Sequence, residues 1–395
     1  MKRVLFVTGT RADFGKLKSL IKILDDQLDF EVSLFVTGMH MQSLYGATYR
    51  EVERCGCKNI FKFLNLTSES TMDLTLSKTI DGLSTYLKEN PVDLIVVHGD
   101  RVEALAGAIT GSLNNILVAH IEGGELSGTI DELIRHAISK LSHTHFVANE
   151  KAKSRLMQMG ELEQSIFVIG SPDMDIMFSD SLPGIEEVKR YYEIPYDKYG
   201  IVMYHPVTTE YDRIEYHVKQ LVDALLADTH NYIVIYPNND LGSQTILKAY
   251  RQLKGNSRFR LIPSMRFEYF LSLLKNADLI VGNSSAGIRE APAYQIPCVN
   301  IGSRQDNRAS SPFIHNCKEE SGMILRTISG VAPSKNRAEY TFGKGNSAGL
   351  FLDVLRTFTF WNISKQKQFK DLKSATFGTV ELYNMSKDMV AGIAV

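Results

Sequence analysis

Residues 93–131 read DLIVVHGDRVEALAGAITGSLNNILVAHIEGGELSGTID, and this stretch decides the fold. Two apolar runs, Asp93 to Val97 and Ile116 to Ala119, each open into a turn that carries His, Gly and acid: His98-Gly99-Asp100-Arg101, then His120-Ile121-Glu122-Gly123-Gly124-Glu125. A further acid, Asp131, precedes a helical pattern. In an open α/β sheet the carboxyl ends of parallel strands border the ligand crevice, so two such turns aim several carboxylates at one place. Bland uses compete: an Asp after a loop is the ordinary helix N-cap, and His98 and His120 also suit hydrogen-bonded positions in a core. Two strand-end turns of the same composition, one with a costly Gly123-Gly124 pair, favour a site.

Working outward, Val4 to Val7 reads as a buried strand, followed by Thr8-Gly9-Thr10-Arg11-Ala12-Asp13-Phe14-Gly15 and a helix through about Leu24. A strand, a glycine-bearing turn and a helix start are a common anion setting. The P-loop pattern fails, because five residues separate Gly9 from Gly15 and Leu17 follows Lys16; the dinucleotide GxGxxG is also missing. Arg11 is a candidate phosphate cation or a solvated arginine. Glu31 to Val36 is a second strand, Thr71 to Leu87 a helix, Thr144 to Ala148 and Ile166 to Ile169 further strands. His136, His143 and His145 lack a carboxylate partner set, so no metal is expected.

The polar stretch from Ser179 to Tyr199, with Pro183 and Pro195, reads as a crossing between domains. The alternation then restarts with strands at Ile201 to Tyr204, Tyr232 to Tyr236, Phe259 to Ile262, Asp278 to Val281 and Pro297 to Ile301. Two runs of strand and helix predict an α/β protein of two Rossmann-like domains facing across a cleft. Gly282-Asn283-Ser284-Ser285-Ala286 joins a strand to a helix start, where hydroxyls and free N–H groups suit a phosphate or simply cap the helix. Pro292 should bend or shorten that helix. Arg304, in the next strand-end loop, is a diphosphate partner or a solvated side chain.

A length of 395 residues suits two domains. The net charge of -1 argues against a nucleic-acid surface. Cys55, Cys57, Cys298 and Cys317 show no zinc spacing and read as reduced thiols. No signal peptide or membrane-length apolar run is present, and a cytoplasmic location is expected.

The segments TGTRADFG, VTGMH, HGDRVEALAG, HIEGGELSGTIDELIRHAISKLSH, IGSPDMD, HPVTTE, YPNND, RFEYFL and GNSSAGIREAP occur in this order over about residues 1–372. Together they resemble the hydrolysing UDP-N-acetylglucosamine 2-epimerases of sialic-acid biosynthesis. The resemblance implies the glycosyltransferase-B fold, with an acid-bearing domain over residues 1–178, a UDP-binding domain over 179–358, and a helix at 359–372, starting at Trp361, that returns to the first domain. The tail, 373–395, matches nothing and is expected to be loosely attached. Lys365, Lys367 and Lys370 read as a solvated face. Catalytic acids are implied at Asp100, Glu122 and Asp131, with His205 and Arg101 beside the leaving diphosphate. Nucleotide contacts fall on Arg11, Ser284, Ser285, Glu290 and Arg304, with Glu290 on the ribose, and the pair Asn238-Asn239 is placed nearby. No cofactor is implied; the partners are a UDP-sugar and further copies of the chain, as a dimer or tetramer.

The implied reaction turns UDP-N-acetylglucosamine and water into N-acetylmannosamine and UDP through a 2-acetamidoglucal. Carboxylates suit its proton transfers and its oxocarbenium-like state, while cations and helix N–H groups suit the leaving diphosphate. Clustered carboxylates should drive one pKa up and supply both an acid and a base. Alternatives are a hydrolysing epimerase of a UDP-2,4-diacetamido-6-deoxy sugar, a non-hydrolysing 2-epimerase, a glycosyltransferase, and a non-catalytic sugar-nucleotide binder.

Overall fold

The computed structural model describes residues 1–66, 71–127, 129–238, 240–331 and 338–371. Its first half is a seven-stranded parallel sheet: β1 (Lys2–Thr8), β2 (Phe30–Val36), β3 (Asn59–Lys62), β4 (Leu94–His98), β5 (Leu117–Ile121), β6 (Thr144–Val147) and β7 (Ile166–Val168), in the order β3-β2-β1-β4-β5-β6-β7. The second half is a six-stranded parallel sheet: β8 (Gly200–Met203), β9 (Tyr232–Ile235), β10 (Phe259–Ile262), β11 (Leu279–Gly282), β12 (Cys298–Ile301) and β13 (Ile314–Cys317), in the order β10-β9-β8-β11-β12-β13. The chain order therefore reverses between β1 and β4 in one sheet and between β8 and β11 in the other. Such switch points open a crevice at the strand ends, where ligands bind.

Helices cover both faces of each sheet, which is why the central strands are continuous apolar runs rather than alternating ones. Val4, Phe6, Leu94, Val96 and Ala119 pack on one side of the first sheet, while Leu5, Val7, Ile95, Val97 and Val118 pack on the other. The register pairs His98 with Ile121, so β4 and β5 end abreast and their acid-bearing turns leave from one edge. In the second half, β11 lies against β8 so closely that a Cβ on Gly282 would meet the Met203 carbonyl oxygen at 2.0 Å. Gly282 also has a φ of +135°, so only glycine suits this switch point.

Three expectations need correction. The stretch 179–199 is not only a crossing: it holds the helix Ile185–Tyr192, and Val188, Ile194, Tyr196 and Tyr199 enter the core of the second half. No helix starts at Trp361. The helix that packs on the first half is Ser347–Arg356, whose Phe351, Leu352 and Leu355 join that core, and a short helix Phe358–Trp361 then ends where a start was expected. Asp175 fixes the returning helix by accepting bonds from the Asn346, Ser347 and Ala348 N–H groups, each at 2.7 Å. Finally, Lys367 is not solvated, because it binds the Ser139 and Ser142 carbonyls and the Glu161 carboxylate. The tail from residue 373 lies outside the described residues.

Pro292 falls at the second-last position of the short helix Ala286–Ala293, where its missing N–H leaves the Ile288 carbonyl without its helical donor.

Candidate active site

Asp100 follows β4, and Arg101 rather than Asp100 occupies the N-cap of the next helix, Val102–Leu113. Thr129 caps the helix Ile130–Leu141 and accepts from the Asp131 N–H at 3.3 Å. Neither aspartate is therefore spent as an N-cap. Both line a cavity of about 850 Å³ between the halves, together with Arg101, Glu103, Tyr45 and Asp240. Asp100 is hydrogen-bonded by Arg135, which also binds the Glu125 carbonyl and Ser127.

The two aspartates meet opposite electrostatics. Burial would raise the Asp100 carboxyl, but Arg135, Arg308 and Arg304 outweigh it and hold the group below its ordinary range. Asp131 is raised by burial and then by the neighbouring Asp100 charge, against the pull of Arg304. The split between an acid and a base that the sequence predicts thus falls on this pair.

Glu122 is placed differently from the expectation that groups it with them. It is not on the cavity wall but behind it, in a buried charge cluster. Arg289, from the second half, binds Glu122 and Glu125, and Lys16 lies 3.0 Å from Asp173, 3.5 Å from Glu290 and 3.9 Å from Glu122. Although burial pushes the Glu122 carboxyl up, Arg289, Lys16 and His98 pull it well below the usual range. Its backbone φ of +65° is unusual for a residue with a side chain and marks a strained corner. His98 bridges Asp13 at 2.8 Å and Glu122 at 3.2 Å. Burial opposes its charge, yet the two carboxylates lift its pKa to about 9. His120 is the core histidine of the alternative reading: Nε2 donates to the Gly99 carbonyl at 2.8 Å, Nδ1 contacts Ser139, and burial lowers its pKa to about 3.

The second half supplies the facing edge. His205 follows β8 and exchanges two hydrogen bonds with Asn283 after β11, its N–H donating at 2.6 Å and its carbonyl accepting at 2.9 Å. The Asn238 N–H donates to His205 Nδ1 at 3.1 Å, so the ring proton sits on Nε2. Burial, then Arg304 and Arg101, keeps this imidazole neutral by driving its pKa far down. Ser284 Oγ accepts from the Ala286 N–H at 3.3 Å, whereas Ser285 occupies the N-cap without a side-chain cap bond. Arg304 reaches both edges: it donates to the Asn283 carbonyl at 3.3 Å and to Asp131 at 3.1 Å. An arginine, a neutral N–H donor and a helix N-terminus converging here suit a diphosphate.

Other expected contacts are not in that cradle. Arg11 pairs with Glu51 at 2.7 Å and reaches Ser264 after β10, at the far edge of the second sheet from β11. Glu290 is buried against Lys16, and among the described residues one of its oxygens has no hydrogen-bond donor. Asn239 lies outside the described residues. Arg101 lines the cavity and comes within 3.8 Å of Asp240 across the cleft. Lys16, Arg135 and Arg289 were not singled out from sequence, since a charged residue within a helical pattern reads as a solvated one. His136, His143 and His145 bind separate partners: Glu132, the Val118 N–H with the Lys365 carbonyl, and Glu161. One other trio, Glu210, His217 and Glu319, brings potential metal-ligand atoms within 4.8 Å of one another, and Ser303 donates to Glu210. Among the described residues no helix is long and apolar enough to cross a membrane.

Two parallel sheets whose switch points face each other across a cleft make this a protein of the glycosyltransferase-B fold class. Solved structures agree. A Methanocaldococcus jannaschii UDP-GlcNAc 2-epimerase in complex with UDP-GlcNAc and UDP superposes with a TM-score of 0.78 at 22% identity, covering 89% of this chain and 99% of its own. A Neisseria meningitidis UDP-GlcNAc 2-epimerase bound to UDP-GlcNAc gives 0.76 at 17%, with the same coverage. The chain itself belongs to the UDP-N-acetylglucosamine 2-epimerase family, whose model matches residues 22–356. It is 48% identical to a UDP-N-acetylglucosamine 2-epimerase of Neisseria meningitidis serogroup B over 94% of this chain and 100% of that one. It is 35% identical to the UDP-N,N'-diacetylbacillosamine 2-epimerase (hydrolyzing) of Legionella pneumophila, over 90% and 96%. With the polysialic acid biosynthesis protein P7 of Escherichia coli it shares 31%, over 94% and 97%.

Proposed function

We propose that this chain is a hydrolysing UDP-N-acetylglucosamine 2-epimerase, which converts its substrate and water to N-acetylmannosamine and UDP as the entry step to sialic acid. The observation that carries the reading is Arg304, which touches Asp131 of the acid-bearing wall and the Asn283 turn of the diphosphate cradle with one guanidinium. A nucleotide sugar bound between them has its anomeric C–O bond at the junction of acids and cations. The names of the Legionella and Escherichia coli relatives support water as a reactant and sialic acid as the product's fate.

In this mechanism Asp100, held ionised, takes the C2 proton. The C2–H electrons form the C1–C2 double bond and the C1–O electrons leave with UDP. Arg304, Arg101, His205 Nε2–H and the N–H groups at Ser284 and Ser285 receive the negative charge. Asp131, the group biased toward its neutral form, returns a proton to C2 from the opposite face while water bonds to C1; the water's proton goes back to Asp131, and Asp100 gives the proton it took to solvent. Glu122 acts as a positioning residue: its charge holds His98 and Arg289, which tie β4, β5 and the second half together. Lys16 and Glu290 would flank the ribose end. A cytoplasmic location and a homo-oligomer fit this role.

Phosphorus NMR of a reaction with UDP-N-acetylglucosamine tests the reading. Free UDP should accumulate with no UDP-N-acetylmannosamine signal; an epimerised sugar with its diphosphate ester intact would assign the non-hydrolysing reaction instead. A second substrate, the UDP-diacetamido sugar, is favoured by the name of the Legionella relative. Turnover of the two sugars side by side decides between them.

A further inference from the structure

His217 is buried and has no part in the proposed reaction. It lies near the start of the helix Ile214–Ala227 with an exposure of 4%. Its Nδ1 faces two carboxylates: Glu210, in the turn Thr208–Arg213 that leads into the helix, and Glu319, just after β13. The distance is 3.7 Å to Glu210 Oε2 and 3.7 Å to Glu319 Oε1. A hydrogen-bonded Nδ1–H would stand about 2.7–3.2 Å from one of them. Among the described residues His217 makes no hydrogen bond, and no Lys or Arg pairs with either glutamate. A neutral ring that aims a lone pair at two carboxylates is repelled by them, and a ring that carries its proton there closes on one. Neither condition gives this spacing.

A metal ion does. Bonds of about 2.0–2.2 Å at tetrahedral to octahedral angles set neighbouring ligand atoms about 3–3.6 Å apart, and the donor atoms of this trio all lie within 4.8 Å of one another. The glutamate side chains, 31% and 16% exposed, have room to draw in by the difference, and the same exposure gives an ion and its waters a way in. Both carboxylates are braced from behind. Ser303 donates to Glu210 Oε1 at 2.6 Å and leaves Oε2 to face the imidazole. Gly302, with a φ of +74°, comes so close to Glu319 that a Cβ there would meet Oε1 at 2.0 Å. A hydrogen bond onto the far oxygen of a carboxylate is a common support for a metal ligand.

We propose that Glu210, His217 and Glu319 form a binding site for a first-row divalent ion, zinc or manganese, with water completing its coordination. One imidazole beside two carboxylates suits these ions, whereas magnesium and calcium prefer oxygen alone. None of the three residues lines the cavity between the halves, so the ion takes no part in the chemistry. It cross-links the segments that follow β8, β12 and β13 on the edge of the sheet that carries the diphosphate cradle. Ser303, bonded to Glu210, directly precedes Arg304, so the ion steadies the turn that presents this arginine.

The test starts from wild type stripped with a chelator and dialysed, then titrated with zinc or manganese chloride by calorimetry while Tm is followed in parallel. Wild type should bind a single ion per chain and gain Tm, as binding to the folded state requires. His217→Gln and Glu319→Gln should each weaken binding by at least about 10-fold, the loss that even a supporting partner of a ligand causes, and should cancel the gain in Tm. X-ray absorption at the edge of the bound metal should show nitrogen and oxygen at about 2.0–2.2 Å, with the scattering of one imidazole and no sulfur. Wild type that takes up neither ion overturns the proposal whether or not the variants fold. Sulfur around the metal, or binding that both variants keep in full, overturns it as well.

Discussion

Asp100 and Asp131 share one cavity wall yet are biased in opposite directions, the first by three arginines and the second by burial and its neighbour's charge. Asp100→Asn removes the base while retaining shape, so kcat should fall by roughly 10²- to 10⁴-fold with UDP affinity retained; steady-state UDP release and calorimetry check this. His98 carries a pH signature. Its folded pKa, about 9, lies above the ordinary histidine value of 6.5. The stability it contributes is therefore fully present below about pH 6.5 and is lost as pH rises through about 9. Thermal melts of wild type against His98→Gln should show an advantage that shrinks across that window; an advantage that grows with pH would contradict the assigned charge. Acid after a strand was visible in the sequence, and so was the cavity pair. What was not visible is that Glu122, of the same pattern, turns into a cluster with Arg289 and Lys16, because burial and partner choice depend on the other half of the chain.

The central strands proved readable because each is an apolar run bounded by a turn, and both faces of each sheet are covered; the edge strands β3 and β13, NIFK and IHNC, were not, because partly exposed edge positions carry no such run. Helix roles were harder. Ser347–Arg356 returns to the first half on Phe351, Leu352 and Leu355, and its start depends on Asp175, a residue far away in sequence. No local signal marks that anchor, so the return was expected later in the chain. At the β8–β11 switch point the geometry has no slack: Gly282→Ala would drive a methyl into the Met203 carbonyl and demand a disfavoured φ. A loss of more than about 2 kcal/mol is expected in denaturant unfolding, together with weaker UDP binding, since Asn283 and Ser284 follow directly. A variant as stable as wild type would show that the strands can separate without cost.

Across the whole molecule, buried arginines join the halves, Arg289 most deeply. Arg289 packs over Phe342 and binds Glu122 and Glu125 of the facing half, and Arg308 adds a second bond to Glu125 at 2.9 Å. Arg289→Ala leaves several carboxylates buried with too few cations, so unfolding free energy should drop by about 3–5 kcal/mol, read as a lower Tm; the pairs being hydrogen-bonded and buried, added salt should not mimic the loss. The two-domain plan was legible in the repeated strand-and-helix alternation, but this tie was not, since an arginine within a helical pattern reads as a solvated one until its partners in the other half are known. The central claim is that carboxylates of one half and a diphosphate cradle of the other act on a single nucleotide sugar. It is tested most directly by running the reaction with UDP-N-acetylglucosamine in D₂O and examining the released sugar by proton NMR and mass spectrometry. The account predicts N-acetylmannosamine carrying one deuterium at C2, formed in step with UDP and absent with Asp100→Asn. A product that keeps its C2 protium, or full activity in that variant, would contradict it.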